Sequence, residues 1–470
     1  MNKHKLAILV GGGPAPGING VIGAATIEAV NSGMTVAGIY DGFKWLASDK
    51  FVPERHTVEL KIRDVGRIHF DGGSILRTDR TTLLDEAQLG VSTMVRADDK
   101  KVARVLRNLT DQGVTHVLTI GGDDTALSAR FVAEKTGGRI RVVHVPKTID
   151  NDLPLPDDQP TFGFTTARHL GSELVANLME DARTTTRWYI VALMGRHAGF
   201  LALGTGKSTG ATLTLIPEEF PETTTVQAIA DVLEGAIIKR QAMGRHDGVA
   251  IVAEGLAYRL GDRDEIERIL GRKVPVDAAG HIRLAEIPLA RILSDELMRR
   301  FDDRGEKVTI VPQTLGYILR CARPTPKDMA YCRDLGHGGV RLLLNESLDL
   351  TGGVMVTIQH GNICPMSFAS MVDPKTNRTR IRTVDIYSDL YGVARAYMIR
   401  LETSDLDDPV MLAKLAATAG MSEPEFAKKL RQAATRITNN GFAKVCHGPS
   451  AASPPQHGDP MAEPEPAHRT

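Results

Sequence analysis

The chain has 470 residues, enough for a large buried core and, by length, two or three domains. Its 57 Lys and Arg balance 57 Asp and Glu, so no global field favours nucleic acid or an acidic membrane, and any anion site must be built locally. The four cysteines, Cys321, Cys332, Cys364 and Cys446, form no CxxC pair, which speaks against a zinc cage or dithiol motif and fits a reduced cytoplasmic setting.

In chain order, Met1 to Lys5 is polar and leads into Leu6–Val10, too short for a signal segment and ending in glycines, hence a first strand. Ile18–Val30 reads as a helix, as do Lys101–Leu109 and Ala126–Glu134. His116–Ile120, Val142–Val145, Tyr189–Met194, Gly248–Ala253 and Val308–Val311 read as further strands. Apolar strands alternating with amphipathic stretches predict an α/β chain of doubly wound, mostly parallel sheets. Residues 261–286 are charged and contain two glycine turns, read as an excursion. Gly336-His337-Gly338-Gly339 reads as a turn. Ser422-Glu423-Pro424-Glu425 matches a capping box opening a helix through Arg436. No segment approaches membrane-spanning length. The tail from His447 has six prolines and no Ile, Leu, Val or Phe, so disorder is expected there.

Three loops at strand ends carry the chemistry. The first, Gly11-Gly12-Gly13-Pro14-Ala15-Pro16-Gly17-Ile18-Asn19, would turn backbone N–H groups and a helix N-terminus toward an anion; tight packing explains it as well, and no Walker GK[ST] follows. The second, Gly121-Gly122-Asp123-Asp124-Thr125, could hold magnesium or simply cap a helix. The third, Pro146-Lys147-Thr148-Ile149-Asp150-Asn151-Asp152, places a lysine and two carboxylates beyond a strand; Asp150 and Asp152, at i and i+2 of an extended segment, would face one side. Together the loops supply a phosphate cradle, a metal carboxylate and a general base, the parts of phosphoryl transfer. His144, inside a strand, reads as a core histidine, and His197 as a residue that packs or supports the site from behind, with no second histidine at metal-ligand spacing.

These motifs resemble the phosphofructokinase family. Its ordered set of PGxN-like turn, GGDx[ST], [GK]TIDND, MGRxxG, AEG and LGxxxR stands here as Pro16–Asn19, Gly121–Thr125, Lys147–Asp152, Met194–Gly199, Ala253–Gly255 and Leu315–Arg320. The resemblance spans roughly residues 6 to 340. It implies two α/β lobes with the active site in the cleft: residues 1–160, completed by 321–405, for donor and Mg²⁺, and 161–320 for sugar phosphate. A helical segment (406–440) and the Pro-rich tail (441–470) would follow.

The resemblance also implies roles. Asp150 would take the proton of the 1-hydroxyl of fructose 6-phosphate, supported by Thr148 and Asp152, with Ile149 beside them. Asp123 would hold Mg²⁺. Met194, Gly195, Arg196, Glu254, Tyr317 and Arg320 would line the sugar phosphate, and Arg187 matches an arginine contributed by a neighbouring subunit, so a homodimer or higher homo-oligomer is expected. Gly13, Arg80 and Lys147 would contact the donor phosphates.

Asp124 and Lys147, placed with Asp150 in the catalytic set, resemble the pyrophosphate-using members. A carboxylate where the α-phosphate of ATP must pass repels that donor. Pro14 stands where many members have Asp, Val311 where ATP-dependent bacterial members place an arginine, and Tyr317 where they have His. Gly23 and Ile27 replace effector-binding arginines. The competing readings are an ATP-dependent phosphofructokinase and a non-catalytic regulatory subunit, with a lipid or NAD kinase more distant because it lacks TIDND and MGR.

Overall fold

The computed structural model describes residues 4–85, 94–156, 159–261, 263–271, 273 and 287–435. Two sheets organise them. The larger has eight strands: β1 (Lys5–Val10), β2 (Thr35–Ile39), β3 (Thr57–Glu59), β4 (His116–Gly121), β5 (Arg141–Thr148), β6 (Phe162–Gly163), β11 (Val354–Gln359) and β12 (Asn362–Ser367). Its order is β12-β11-β5-β4-β1-β2-β3, with β6 beside the end of β5. The smaller sheet is β10 (Ile310–Leu315), β7 (Trp188–Leu193), β9 (Gly248–Ala253) and β8 (Leu213–Leu215), in that order and wholly parallel. In the larger sheet only the β2–β3 and β11–β12 pairs are antiparallel among the described residues. The expected α/β class with mostly parallel sheets is borne out.

β1, β4, β7 and β9 are almost wholly apolar because helices cover both faces of each sheet, leaving no solvent side for alternation to mark. Separate apolar clusters fill each face: Ile8, Val10, Ile22 and Leu335 on one side of the larger sheet, Leu9, Phe43, Val105 and Phe131 on the other. Helices Val226–Ala242, Pro409–Thr418 and Glu423–Thr435 share the core on one side of the smaller sheet.

Three expectations change. The strand expected to stop at Val145 continues through Pro146 to Thr148, so the lysine-bearing heptad begins inside β5. β5 leaves β11 after His144 and takes β6 as partner at Lys147 and Thr148. The strand expected at Val308–Val311 is Ile310–Leu315; it contains Pro312, tolerated because β10 is an edge strand that needs no N–H there.

The third change is Gly336-His337-Gly338-Gly339, which is not a turn but the middle of helix Pro326–Leu344. A Cβ on Gly336 would sit 2.5 Å from the Val21 carbonyl oxygen, and one on Gly339 would sit 2.7 Å from Leu118. The glycines let this helix lie directly on helix Ile18–Asn31 and the sheet, and that contact offsets their poor helix propensity.

The expected helices occupy Ile18–Asn31, Asp99–Asp111, Asp123–Thr136 and Glu423–Thr435, the last stopping at the limit of the described residues before Arg436. The 261–286 excursion contains helix Arg263–Leu270; residues 274–286 lie outside the described residues, as do Cys446 and the 441–470 tail. Among the described residues no helix is long and apolar enough to cross a membrane. Cys321, Cys332 and Cys364 are free thiols.

Candidate active site

In the larger sheet the chain order reverses at β1, with β2 on one side and β4 on the other, so a crevice opens at the carboxyl ends of these strands. In the smaller sheet β7 lies between β9 and β10. Loops from the carboxyl ends of β1, β4 and β5 meet those from β7, β9 and β10 around one cavity of about 390 Å³. It is lined by Gly13, Arg80, Asp123, Asp124, Lys147, Thr148, Ile149, Asp150, Asp152, Met194, Arg196, Glu254, Tyr317 and Arg320, fourteen of the sixteen residues singled out in the sequence.

The two others stand apart for different reasons. Gly195 holds the wall: at φ 136° it takes a backbone conformation open to glycine, a Cβ would meet the Ala198 carbonyl at 2.7 Å, and its own carbonyl accepts from Gly255 N at 2.9 Å. It thereby binds the Met194–Gly199 loop to the Ala253–Gly255 loop. Arg187 precedes the amino end of β7, roughly 20 Å from Met194 by strand rise, and does not reach the cavity of its own chain.

On the larger-sheet side, Gly12 (φ 80°) exposes backbone toward Lys147, whose Nζ a Cβ there would approach to 3.4 Å. Lys147 is 4% exposed and donates to the Gly13 carbonyl. Burial and the Arg320 guanidinium pull its pKa down to about 8, against the opposing pull of Asp150, Asp123 and Asp152. Arg320 crosses from the other sheet: a Cβ on Gly13 would stand 3.4 Å from its guanidinium carbon.

Asp123 and Asp124 form the first turn of helix Asp123–Thr136, with Gly122 at the N-cap and no side-chain cap bond, so neither aspartate is spent on capping. Asp124 touches solvent at the cavity mouth, yet surrounding protein and the Asp123 charge push its carboxyl up to about 6.

Asp150 and Asp152 do share the cavity, but not through an extended segment. Asn151 between them is left-handed, at φ 59°. The loop is held by Thr161, whose backbone N–H donates to Asn151 Oδ1 at 3.0 Å and whose hydroxyl donates to the Thr148 carbonyl at 2.7 Å. Asp150 N–H donates to Thr148 Oγ1 at 3.0 Å, and Asp150 Oδ2 accepts from Arg196 N–H at 3.4 Å across the cavity. Burial raises the Asp150 carboxyl, while that N–H and the Arg320 and Arg196 charges oppose the rise. Burial, Asp150 and Asp123 push Asp152 up to about 7.

The smaller-sheet side is mostly cationic. Arg196 lies 5.7 Å from the Tyr258 ring and Arg320 4.8 Å from the Tyr317 ring, each a cation over an aromatic face. Tyr317 is 77% exposed, at the rim. Burial raises the Glu254 carboxyl, helped by Asp150. His197 lines the cavity directly, its pKa lowered mainly by burial, where the sequence suggested packing or support from behind the site. His144 is a core histidine as expected, bonded to Thr119 Oγ1 at 2.8 Å and the Gly121 carbonyl at 3.0 Å. Sequence reasoning missed Thr81, Thr82 and Leu289 on the cavity wall, which lie in no motif.

Among the described residues no three His, Cys, Asp or Glu side chains gather as a metal cage. Two adjacent aspartates at a helix start, with the charge of one raising the pKa of the other, suit a magnesium ion that takes one or two carboxylates and fills its other positions with phosphate oxygens and water.

The phosphofructokinase family model matches residues 5–343. The chain is 53% identical over 426 residues to the pyrophosphate–fructose 6-phosphate 1-phosphotransferase of Thermotoga maritima, covering 91% of this chain and 98% of that one. It is 46% identical to the protein of that name from Naegleria fowleri, covering 92% of this chain and 96% of that one. In fold it resembles the pyrophosphate-dependent phosphofructokinase of Nitrosospira multiformis, with a TM-score of 0.58 at 16% identity, covering 85% of this chain and 92% of that one. Five of the six ordered motifs line one cavity between two mostly parallel sheets, and with these likenesses over nearly the whole length the chain belongs to the phosphofructokinase family.

Proposed function

We propose that this chain catalyses reversible phosphoryl transfer from inorganic pyrophosphate to the 1-hydroxyl of fructose 6-phosphate, giving fructose 1,6-bisphosphate and phosphate in glycolysis. The observation that carries the choice of donor is the pair Asp124 and Lys147 in one cavity: a carboxylate at the mouth that repels a longer polyphosphate, and a buried ammonium beneath the glycine loop that suits a compact anion. The 53% identity to a pyrophosphate-using relative supports it over the ATP-dependent alternative. Intact Asp123, Asp150 and Asp152 weigh against a non-catalytic regulatory subunit.

Asp150 serves as general base. Its raised pKa strengthens it as a proton acceptor, and Arg196 N–H orients the oxygen that receives the hydroxyl proton. Thr148 and Asp152 set its loop. Arg196 and Arg320 offset the 6-phosphate, Met194, Ile149, Glu254 and Tyr317 line the sugar, and Gly13, Arg80 and Lys147 receive the donor phosphates. Asp123 holds Mg²⁺, which when bound neutralises charge on the transferring phosphoryl group. Arg187 serves the cavity of a second copy, in a homodimer or larger homo-oligomer. Residues 1–160 with 321–405 form the donor lobe and 161–320 the sugar-phosphate lobe, and the described residues from 406 to 435 pack as a helical segment. Composition and free thiols support a cytoplasmic setting.

The test is fructose 1,6-bisphosphate formation by the purified protein with pyrophosphate and with ATP, each with Mg²⁺. Activity with pyrophosphate is expected. Activity with ATP alone overturns the donor assignment, and a folded protein inactive with both points to the regulatory subunit.

A further inference from the structure

Beyond residue 343, where the family match ends, the chain forms β11 and β12 and then runs from Thr379 to Asp385 as a strap across the back of the active-site loops. One residue of this strap grips the catalytic loop. The Arg382 guanidinium donates to the Asn151 carbonyl from Nε at 3.2 Å and from Nη2 at 3.1 Å, and Nη2 also donates to Asn151 Oδ1 at 2.6 Å. Its backbone N–H donates to the Asp152 carbonyl at 2.8 Å. The grip falls on the left-handed Asn151, the residue that turns Asp150 and Asp152 into the same cavity. Asn151 is 6% exposed, so water has little access to replace these bonds.

The same strap holds the opposite wall. The Arg382 guanidinium lies 5.3 Å from the ring of Phe200, the first residue of helix Phe200–Thr209 and the one after the Met194–Gly199 loop. Two residues on, Val384 N–H donates to Glu218 Oε1 at 2.9 Å, and that oxygen also accepts Gly199 N–H at 2.9 Å. Glu218 is therefore a bridge between the strap and the end of the Arg196 loop. The strap fixes the Asp150 loop of the larger sheet and the Arg196 loop of the smaller one against a single short segment. The Arg196 N–H to Asp150 Oδ2 contact spans the gap between them.

We infer that Arg382 is a positioning residue for the reaction, setting the distance between the base on one sheet and the sugar-phosphate arginine on the other. It does not line the cavity; it acts through Asn151 and Phe200. The fork geometry matters as well as the charge, because one planar guanidinium reaches the backbone and side-chain oxygens of the same residue while stacking on a ring. This inference rests on the phosphotransferase reading for its kinetic consequence.

The test compares Arg382→Met, Arg382→Lys and Arg380→Met in the full chain. Arg380 is an exposed neighbour on the strap. Both Arg382 variants are expected to lose kcat, Met by about 10- to 100-fold, while KM for fructose 6-phosphate and pyrophosphate changes by less than about 3-fold. Arg380→Met retains wild-type kinetics, and added guanidinium restores part of the kcat of Arg382→Met. Amide exchange across residues 148–153 rises in both Arg382 variants while the β1 and β4 amides keep their protection. Unchanged kcat in both Arg382 variants overturns the inference. So does a loss of kcat that tracks the fraction of unfolded protein, or a loss confined to KM. If the wild type turns over neither donor, the functional reading fails on its own, and amide exchange then decides the clasp: no rise at 148–153 in Arg382→Met refutes it.

Discussion

The two edges that meet at the cavity differ in kind. The larger sheet contributes four carboxylates, Asp123, Asp124, Asp150 and Asp152, with Lys147 among them; the smaller contributes Arg196, Arg320 and His197 around one carboxylate, Glu254. The acidic edge is crowded, and burial with like charges nearby drives three of its groups toward neutrality: Asp152 to about 7, Asp124 to about 6 and Lys147 to about 8. The arginines of the other edge lie over aromatic rings, Arg196 against Tyr258 and Arg320 against Tyr317. The carboxylates proposed to exchange protons thus sit where the protein makes their charge costly, whereas the arginines proposed to meet the sugar phosphate are backed by aromatic faces.

The sharpest way to break this division is at the acidic edge. Asp150→Ala is expected to lower kcat by about 10²- to 10⁴-fold while calorimetry finds fructose 6-phosphate binding nearly intact. Loss of binding alongside kcat would move Asp150 from chemistry to recognition. Replacing Asp124 and Lys147 together by Gly should cut kcat/KM for pyrophosphate by about 10²-fold and admit weak turnover with ATP. Unchanged pyrophosphate kinetics would refute their role as donor selectors.

At the cationic edge, Arg196→Ala or Arg320→Ala should raise KM for fructose 6-phosphate by about 10- to 100-fold, the worth of a charge-assisted bond, with a smaller change in kcat. The reverse pattern would place these arginines in the chemical step.

The smallest expected effect is on stability. A carboxylate whose folded pKa is raised has its stabilising contribution fully present below the unfolded value near 3.8, and loses it as pH rises through about 7. Asp152→Asn should therefore melt a few degrees above wild type at pH 8, the gap closing toward pH 4. Forward turnover of the wild type should fall as pH drops and the Asp150–Asp152 pair takes up protons. An Asp152→Asn melting gain that is constant from pH 4 to 8 would show that burial, not charge, sets the cost.

Much of the site was legible because its residues are contiguous. Lys147 to Asp152 is one heptad, Gly121 to Thr125 one turn, and both stand after apolar runs, so their place at strand ends follows from pattern alone. Where the reading slipped, a local rule was overruled by neighbours. Pro146 and Pro312 stop a strand on paper, yet β5 passes to a new partner at Lys147 and β10 lies at an edge. The glycines at 336, 338 and 339 read as a turn because their partners, Val21, Leu118 and Ile363, are distant in sequence.

By itself the sequence determined the fold class, the order of the motifs and which residue types could carry out phosphoryl transfer, since these depend on periodicity and short-range spacing. Only the tertiary structure decided how those motifs face one another. That Arg320 crosses onto Gly13, that Asp150 and Asp152 share a cavity by way of a left-handed Asn151, and that a strap from beyond residue 343 clasps their loop are contacts between segments up to several hundred residues apart. Such contacts are set by the packing of two sheets and by the desolvation that packing imposes, and neither quantity has a local signature in the chain.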